Sequence, residues 1–218
     1  MGFLEAIVVV YMRELYYPEG FLFPLQLIPP RIFVIELVRE ISTIIMLLCI
    51  GLLIGKSALE KFAWFLLSFG VWDIFYYVAL KLFLDWPESF LTWDILFLIP
   101  ITWLGPVLAP LICSFTMIIF SLSALTRIKA PGKINTKFWY FFLIGAFLIF
   151  LSFILDYTKL LIREGYFSKG GPSLLDPGFT EAIVSYIPGP FQWGIFIIGE
   201  LLLIFGIARF VLFTKTKN

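Results

Sequence analysis

Histidine is absent from this chain. Its absence excludes histidine-ligated haem, most zinc and copper chemistry, and every Ser-His or Cys-His catalytic pair. Charge is also scarce. Only 14% of residues are charged and 61% are hydrophobic, where a soluble domain carries about 25% charged and about 45–50% apolar residues. A net charge of +1 provides no global field for nucleic acid, so no nucleic-acid partner is expected. Cysteine is limited to Cys49 and Cys113, each inside an apolar run, and both read as packing groups. Nothing in the spacing demands a metal, and no cofactor is expected. The chain begins Met1-Gly2-Phe3-Leu4-Glu5, with an acid where a secretory leader has basic residues. Position 6 is Ala, where myristoylation would want Ser or Thr further along a Gly2 signal.

What is present is length of apolar sequence. A crossing helix needs about 20 residues. Ile32–Gly55, Phe62–Leu84, Val107–Leu125, Phe138–Leu161 and Phe191–Phe213 meet that need. Between the second and fourth of these runs, Phe90–Leu125 is apolar but broken by Pro100, Pro106 and Pro110, with Gly105 among them. Proline removes a donor and ends or kinks a helix, so Phe90–Trp103 is expected as a re-entrant half-helix and Val107–Leu125 as a full span. Residues 1–18 are apolar for about ten residues and then meet Arg13 and Glu14, which is short for a span. A helix in the membrane interface, ending at Pro18, is the expectation, with a sixth crossing left open. The expected fold is therefore all-α, a single transmembrane domain, residues 1–218. It is a polytopic helix bundle of five spans (32–55, 62–84, 107–125, 138–161 and 191–213) plus a re-entrant half-helix (90–103) and an N-terminal interfacial helix. A loop of residues 163–190 is rich in Gly and Pro: Gly170-Gly171-Pro172, Pro177-Gly178 and Pro188-Gly189-Pro190. Residues Thr180–Tyr186 within it are expected as a short helix.

Charge bias orients this bundle. With five spans and the N-terminus outside, the cytoplasmic segments contain Lys56 and Lys61; Arg127, Lys129, Lys133 and Lys137; and Arg209, Lys215 and Lys217. All three satisfy the positive-inside rule. The expected location is a cell inner membrane, multi-pass, with the C-terminus cytoplasmic. The bilayer is then the first partner; a small-molecule, ion or lipid ligand is the second, and protein partners are left undetermined.

Of 15 carboxylates, only Glu60 falls on the cytoplasmic side. Glu36, Glu40, Asp73, Asp94, Asp156 and Glu200 lie in or at the edge of apolar helices. A charged side chain at the bilayer centre costs about 2.5–3.5 kcal/mol on insertion scales, so such groups usually face an interior or a pathway. Helical spacing sets Glu36, Glu40 and Thr43 on one stripe with Arg39 beside it. Arg39 can neutralise Glu36 or Glu40. In the second span Asp73 sits deep, with Tyr77 one turn on and Lys81 two turns on, where Lys81 can reach back to Asp73 or Asp94. Asp156 has Lys159 and Arg163 nearby as local partners. Glu200 has no cation at its depth. The candidate binding or ion-coupling residues are Glu36, Arg39, Glu40, Asp73, Tyr77, Lys81, Asp94 and Glu200. Helix-pairing ion pairs and a functional site both account for them. The tripeptide Trp72-Asp73-Ile74 recurs as Trp93-Asp94-Ile95 and reads as coincidence.

Three functions stay open. One is transport of a small solute, proton or cation through an outer-facing polar vestibule, with Asp73 and Glu200 as an exchanging pair. Another is a membrane-embedded enzyme acting on a lipid or isoprenoid. The third is a non-catalytic subunit of a membrane complex. The runs Gly70–Tyr77, Trp86-Pro87-Glu88-Ser89 and Thr92–Ile95, together with Arg39–Thr43, resemble a set of uncharacterised prokaryotic polytopic membrane proteins. The resemblance covers about a third of the chain and implies a prokaryotic inner membrane, with no activity or ligand attached.

Overall fold

A computed structural model describes residues 1–26, 28–128, 137–166 and 182–213. Its elements follow from the apolar runs and their punctuation. Helix α1 spans Gly2–Tyr16. Helix α2, Pro30–Ile54, starts with proline at its first position, where the missing N–H costs nothing. Helix α3, Ala58–Leu84, opens on a capping box in which the Ser57 hydroxyl accepts from the Glu60 N–H and Glu60 reaches back to the Ser57 N–H. Helices α4 (Leu108–Ile128), α5 (Phe138–Arg163) and α6 (Trp193–Phe213) complete the bundle. Five of these, α2 to α6, are long and apolar enough to cross a membrane. The protein is a multi-pass membrane protein.

Phe90–Trp103 is not helical. Strand β1, Trp93–Phe97, pairs antiparallel with β2, Trp103–Pro106, setting Asp94 opposite Gly105 and Ile95 opposite Leu104. The prolines explain the correction. Pro100 falls in the turn, Pro106 closes β2, and the stretch between consecutive breakers is too short for stable helical turns. The hairpin is fastened at its base by Val107 N–H to Thr92 O (3.0 Å) and Leu108 N–H to Phe90 O (2.8 Å). The fold is thus a helix bundle with one two-stranded ribbon at the end where α3 stops and α4 starts.

Helix α1, of 15 residues, is about 22 Å long, less than the roughly 30 Å hydrocarbon core. Its Gly2 lies against the backbone of Trp72 and Tyr76, in the middle of α3; a Cβ at Gly2 would sit 2.7 Å from the Trp72 carbonyl oxygen. Its other end reaches Trp86, beyond the end of α3. A helix resting only on a surface does not account for these contacts. Helix α1 is wedged into the bundle and buries Gly2, Glu5, Ala6 and Arg13.

Packing is uneven. Helices α5 and α6, and α3 and α4, pair along extended interfaces. Helix α2 packs on α3 and, among the described residues, has no extended contact with α4, α5 or α6. Buried Phe120, Phe138 and Phe210 fill the bundle at the end away from the hairpin. Lys129, Lys133, Lys215 and Lys217, the Gly170-Gly171-Pro172 and Pro177-Gly178 stretches, and the start of the expected helix at Thr180–Tyr186 lie outside the described residues.

Candidate functional site

The gap between α2 and α5 is a cavity of about 530 Å³, a size typical of small-molecule sites. Its polar wall comes from α1, α2, α3 and the hairpin: Glu5, Arg13, Glu36, Arg39, Glu40, Asp73, Tyr76, Tyr77 and Asp94 all line it. The rest is mostly apolar, with Phe69, Trp72, Trp103, Ile149, Phe150 and Phe153 among the lining side chains. The far end reaches Phe62, Leu66, Met117 and Phe142, which abut the phenylalanine cluster.

Two ionic groups organise the wall. In the first, Arg39 is held between Glu36, at 2.8 Å through Nε, and Glu5 of α1. Glu5 also accepts from the Thr43 hydroxyl at 2.8 Å. The i,i+3 pairing of Glu36 with Arg39 follows from the sequence; the Glu5 contact depends on α1 entering the bundle. In the second, Arg13 donates through Nη2 to Asp94 at 3.0 Å, and Tyr77 donates to the other Asp94 oxygen at 3.2 Å. The Arg13 guanidinium lies over the Trp86 ring, 3.7 Å from its centroid, with Phe21 at 4.5 Å, a cation–π arrangement. Burial pushes the Asp94 carboxyl above the usual carboxylate range, against the opposing pull of the Arg13 charge and the Tyr77 hydrogen bond.

The other two acids on the wall have no cation bonded to them. Both Glu40 oxygens accept from the Leu98 N–H, at 2.9 and 3.1 Å, so α2 is latched to the hairpin just beyond β1. This bond also satisfies a strand-edge donor that lipid would leave unpaired. Asp73 accepts from Ser114 of α4 at 2.7 Å through Oδ2.

Of the eight residues singled out from sequence, Glu36, Arg39, Glu40, Asp73, Tyr77 and Asp94 share this cavity, and Lys81 and Glu200 do not. Lys81 turns outward to Asp85, at 2.7 Å, and to the backbone oxygens of Asp85 and Pro87; Arg13 takes the place expected of it beside Asp94. Glu200 accepts from Thr116 at 2.8 Å. Ser114 and Thr116 are two residues apart on α4, about 200° around the helix, so the hydroxyls that hold Asp73 and Glu200 lie on different faces of α4. Asp156 is bonded by the Tyr186 hydroxyl and the Gly189 N–H, and Arg163 pairs with Glu164 instead. Asp94 is the second residue of a strand and does not lie in a half-helix. The two Trp-Asp-Ile copies both bring their acid to the cavity, one from a helix and one from a strand.

Glu5 and Arg13 were the residues missed. Their eight-residue separation, about two helical turns, sets them on one face of α1, a signal hidden by treating the segment as a surface helix. No family model, curated protein or solved structure matches the chain.

Proposed function

We propose that the protein is a carrier of a small amphiphilic solute, bound in the cavity between α2 and α5. The observation that carries this reading is the convergence of six charged or phenolic candidates, from three separate elements, on one apolar-walled cavity. Intramembrane ionisable groups that gather in this way mark substrate or ion pathways. The one-sided attachment of α2 supports movement as well as binding. Helix α2 rests on α3 and is otherwise tied to the hairpin and to α1 through the side chains of Glu40, Arg39 and Thr43, contacts that can break without unpacking a core. Lys56, Lys61, Arg127 and Lys137 lie at the end away from the hairpin, opposed by Glu60. By the positive-inside rule that end is cytoplasmic, and the hairpin faces outward in a prokaryotic inner membrane.

The test is transbilayer movement of labelled amphiphiles in proteoliposomes, with the recovered solute identified by mass spectrometry. Movement faster than in protein-free vesicles, slowed by Asp73→Asn and Glu40→Gln, with the solute recovered intact, is the expected result. A rate equal to that of empty vesicles overturns the carrier reading. A chemically altered solute replaces it with an enzyme acting on a lipid-like substrate.

A further inference from the structure

We propose that the ligand of this cavity carries a positively charged nitrogen head, an alkylammonium-type amphiphile, with the head against Asp73 and Glu40 and the apolar body along the aromatic wall. The inference rests on the cavity being a ligand site, as argued above, and adds the chemistry of the head.

The charge inventory of the wall supports it. Five carboxylates line the cavity (Glu5, Glu36, Glu40, Asp73 and Asp94) against two guanidiniums, Arg13 and Arg39, an excess of three acids. Both guanidiniums are already ion-paired. Arg39 is shared by Glu5 and Glu36. Arg13 is bonded to Asp94 through Nη2, leaving Nη1 as a single open donor and not a fork, and it is covered by Trp86 and Phe21. A phosphate head would need a free cationic fork and would meet uncompensated carboxylates. An ammonium meets the reverse: two acids with no bonded cation.

A second observation points the same way. Asp73 is only 8% exposed, and Ser114 occupies just one of its oxygens. Among the described residues Oδ1 has no hydrogen-bond partner, although Asp73 lines the cavity. This oxygen is open to the cavity and available to a donor or a charge entering it. Trp72 and Tyr76, stacked at 6.1 Å on the same helix, line the cavity on either side of Asp73 in the sequence. Aromatic faces of this kind attract organic cations.

The experiment is equilibrium binding of labelled dodecyltrimethylammonium to the full chain in lipid nanodiscs, with dodecyl phosphate and dodecanol as competitors and as labelled ligands in their own right. Partition into lipid gives a linear background; a site gives a saturable component. The expected result is saturable binding of the cation, weakened at least about tenfold by Asp73→Asn and less by Glu40→Gln. Lys81→Ala should leave it unchanged, and dodecyl phosphate should compete poorly. Retained binding of labelled dodecanol by Asp73→Asn shows that the variant keeps its cavity. If dodecyl phosphate competes as well as the cation, or Asp73→Asn binds the cation undiminished, the head-group inference is overturned while the cavity stands. If none of the three chains binds saturably, the cavity reading falls and the inference with it.

Discussion

The half of the bundle built by α5 and α6 and the half built by α1, α2 and the hairpin hold together by different means. Between α5 and α6, Gly145 and Gly199 face each other so closely that a Cβ on Gly145 would lie 2.7 Å from the Gly199 carbonyl oxygen, and one on Gly199 would lie 2.9 Å from the Gly145 oxygen. Small residues of this kind are how helices approach in lipid, where no hydrophobic drive separates chain from solvent. The other half also uses such approaches, since Gly2 of α1 and Gly51 of α2 lie against the α3 backbone, but α1, α2 and the hairpin are joined to one another by polar side chains: Arg13 to Asp94, Arg39 to Glu5 and Glu36, and Glu40 to the Leu98 N–H. Backbone packing makes the α5–α6 half rigid. In the other half, the ties of α2 to α1 and to the hairpin are side-chain latches that can part, and the cavity lies along that seam.

The largest effect should come from breaking the buried latch. Arg13→Met leaves Asp94 charged and 2% exposed. Removing one partner of a buried ion pair costs about 3–5 kcal/mol, to be read from graded unfolding in mixed micelles. The sign of its pH dependence follows from burial, which already holds the Asp94 carboxyl above its ordinary range despite Arg13. A raised carboxyl favours the protonated folded state, so this group opposes folding increasingly as pH rises through the interval between its unfolded and folded values. Without Arg13 that interval widens. The loss in Arg13→Met should therefore be greatest at neutral pH and shrink in acid as Asp94 takes up a proton. A loss independent of pH would mean that the cation–π packing of Arg13 matters more than its charge.

The rigid half should respond to bulk instead of charge. Gly145→Val forces a side chain against the Gly199 backbone. Overpacking of this kind typically costs about 1–3 kcal/mol, with no pH dependence from Asp94. The added side chain also presses on Leu203, which lines the apolar wall of the cavity, so ligand binding should weaken along with stability. The Glu40–Leu98 latch lies away from that contact, so amide exchange at Leu98 should stay as in wild type in whatever fraction of Gly145→Val folds. Faster exchange there would show that the two halves are coupled more tightly than their contacts imply.

This division also explains what could be read from the sequence. The five spans follow from apolar length alone, and they begin and end within a few residues of the expected runs because Pro30, the Ser57–Glu60 box and the basic termini punctuate them. The Glu36–Arg39 pair follows from helical spacing. What spacing along one helix cannot give is a partner on another element. Arg13 replaces Lys81 beside Asp94 because α1 enters the bundle, and α1 is too short for a length criterion to detect as buried. The hairpin was concealed for a different reason. Its apolar run looks like membrane helix by composition, and only the prolines at 100, 106 and 110 argue otherwise. Depth alone groups Glu200 with Asp73, but depth does not fix azimuth, and the two are bonded by different hydroxyls of α4.

Glu40→Ala is expected to be milder than either core change. It removes the acceptor of the Leu98 N–H and frees the hairpin from α2, leaving a partly buried donor unsatisfied at a cost of about 1–3 kcal/mol. Its sharper signature is local. Amide exchange at Leu98 should accelerate while exchange in α5 and α6 stays unchanged. Equal acceleration in both halves would contradict the picture of a latch confined to the seam.

The smallest effect belongs to Lys81, and it separates two accounts of the polar wall. If Lys81 neutralised Asp73 or Asp94, its loss would resemble that of Arg13. In the structure its side chain is half exposed, and it pairs at 2.7 Å with Asp85, whose side chain is 93% exposed. Exposed pairs of this kind contribute about 0–1 kcal/mol. Lys81 also donates to the Asp85 and Pro87 oxygens, near Asp85 in its left-handed turn at φ 51°, so Lys81→Ala should loosen that turn slightly without touching the cavity. Stability within about 1 kcal/mol of wild type, together with unchanged ligand binding, is the expected outcome. A loss as large as that of Arg13→Met would restore Lys81 to the cavity wall, add a cation to its charge inventory and remove the reason for expecting an ammonium ligand there.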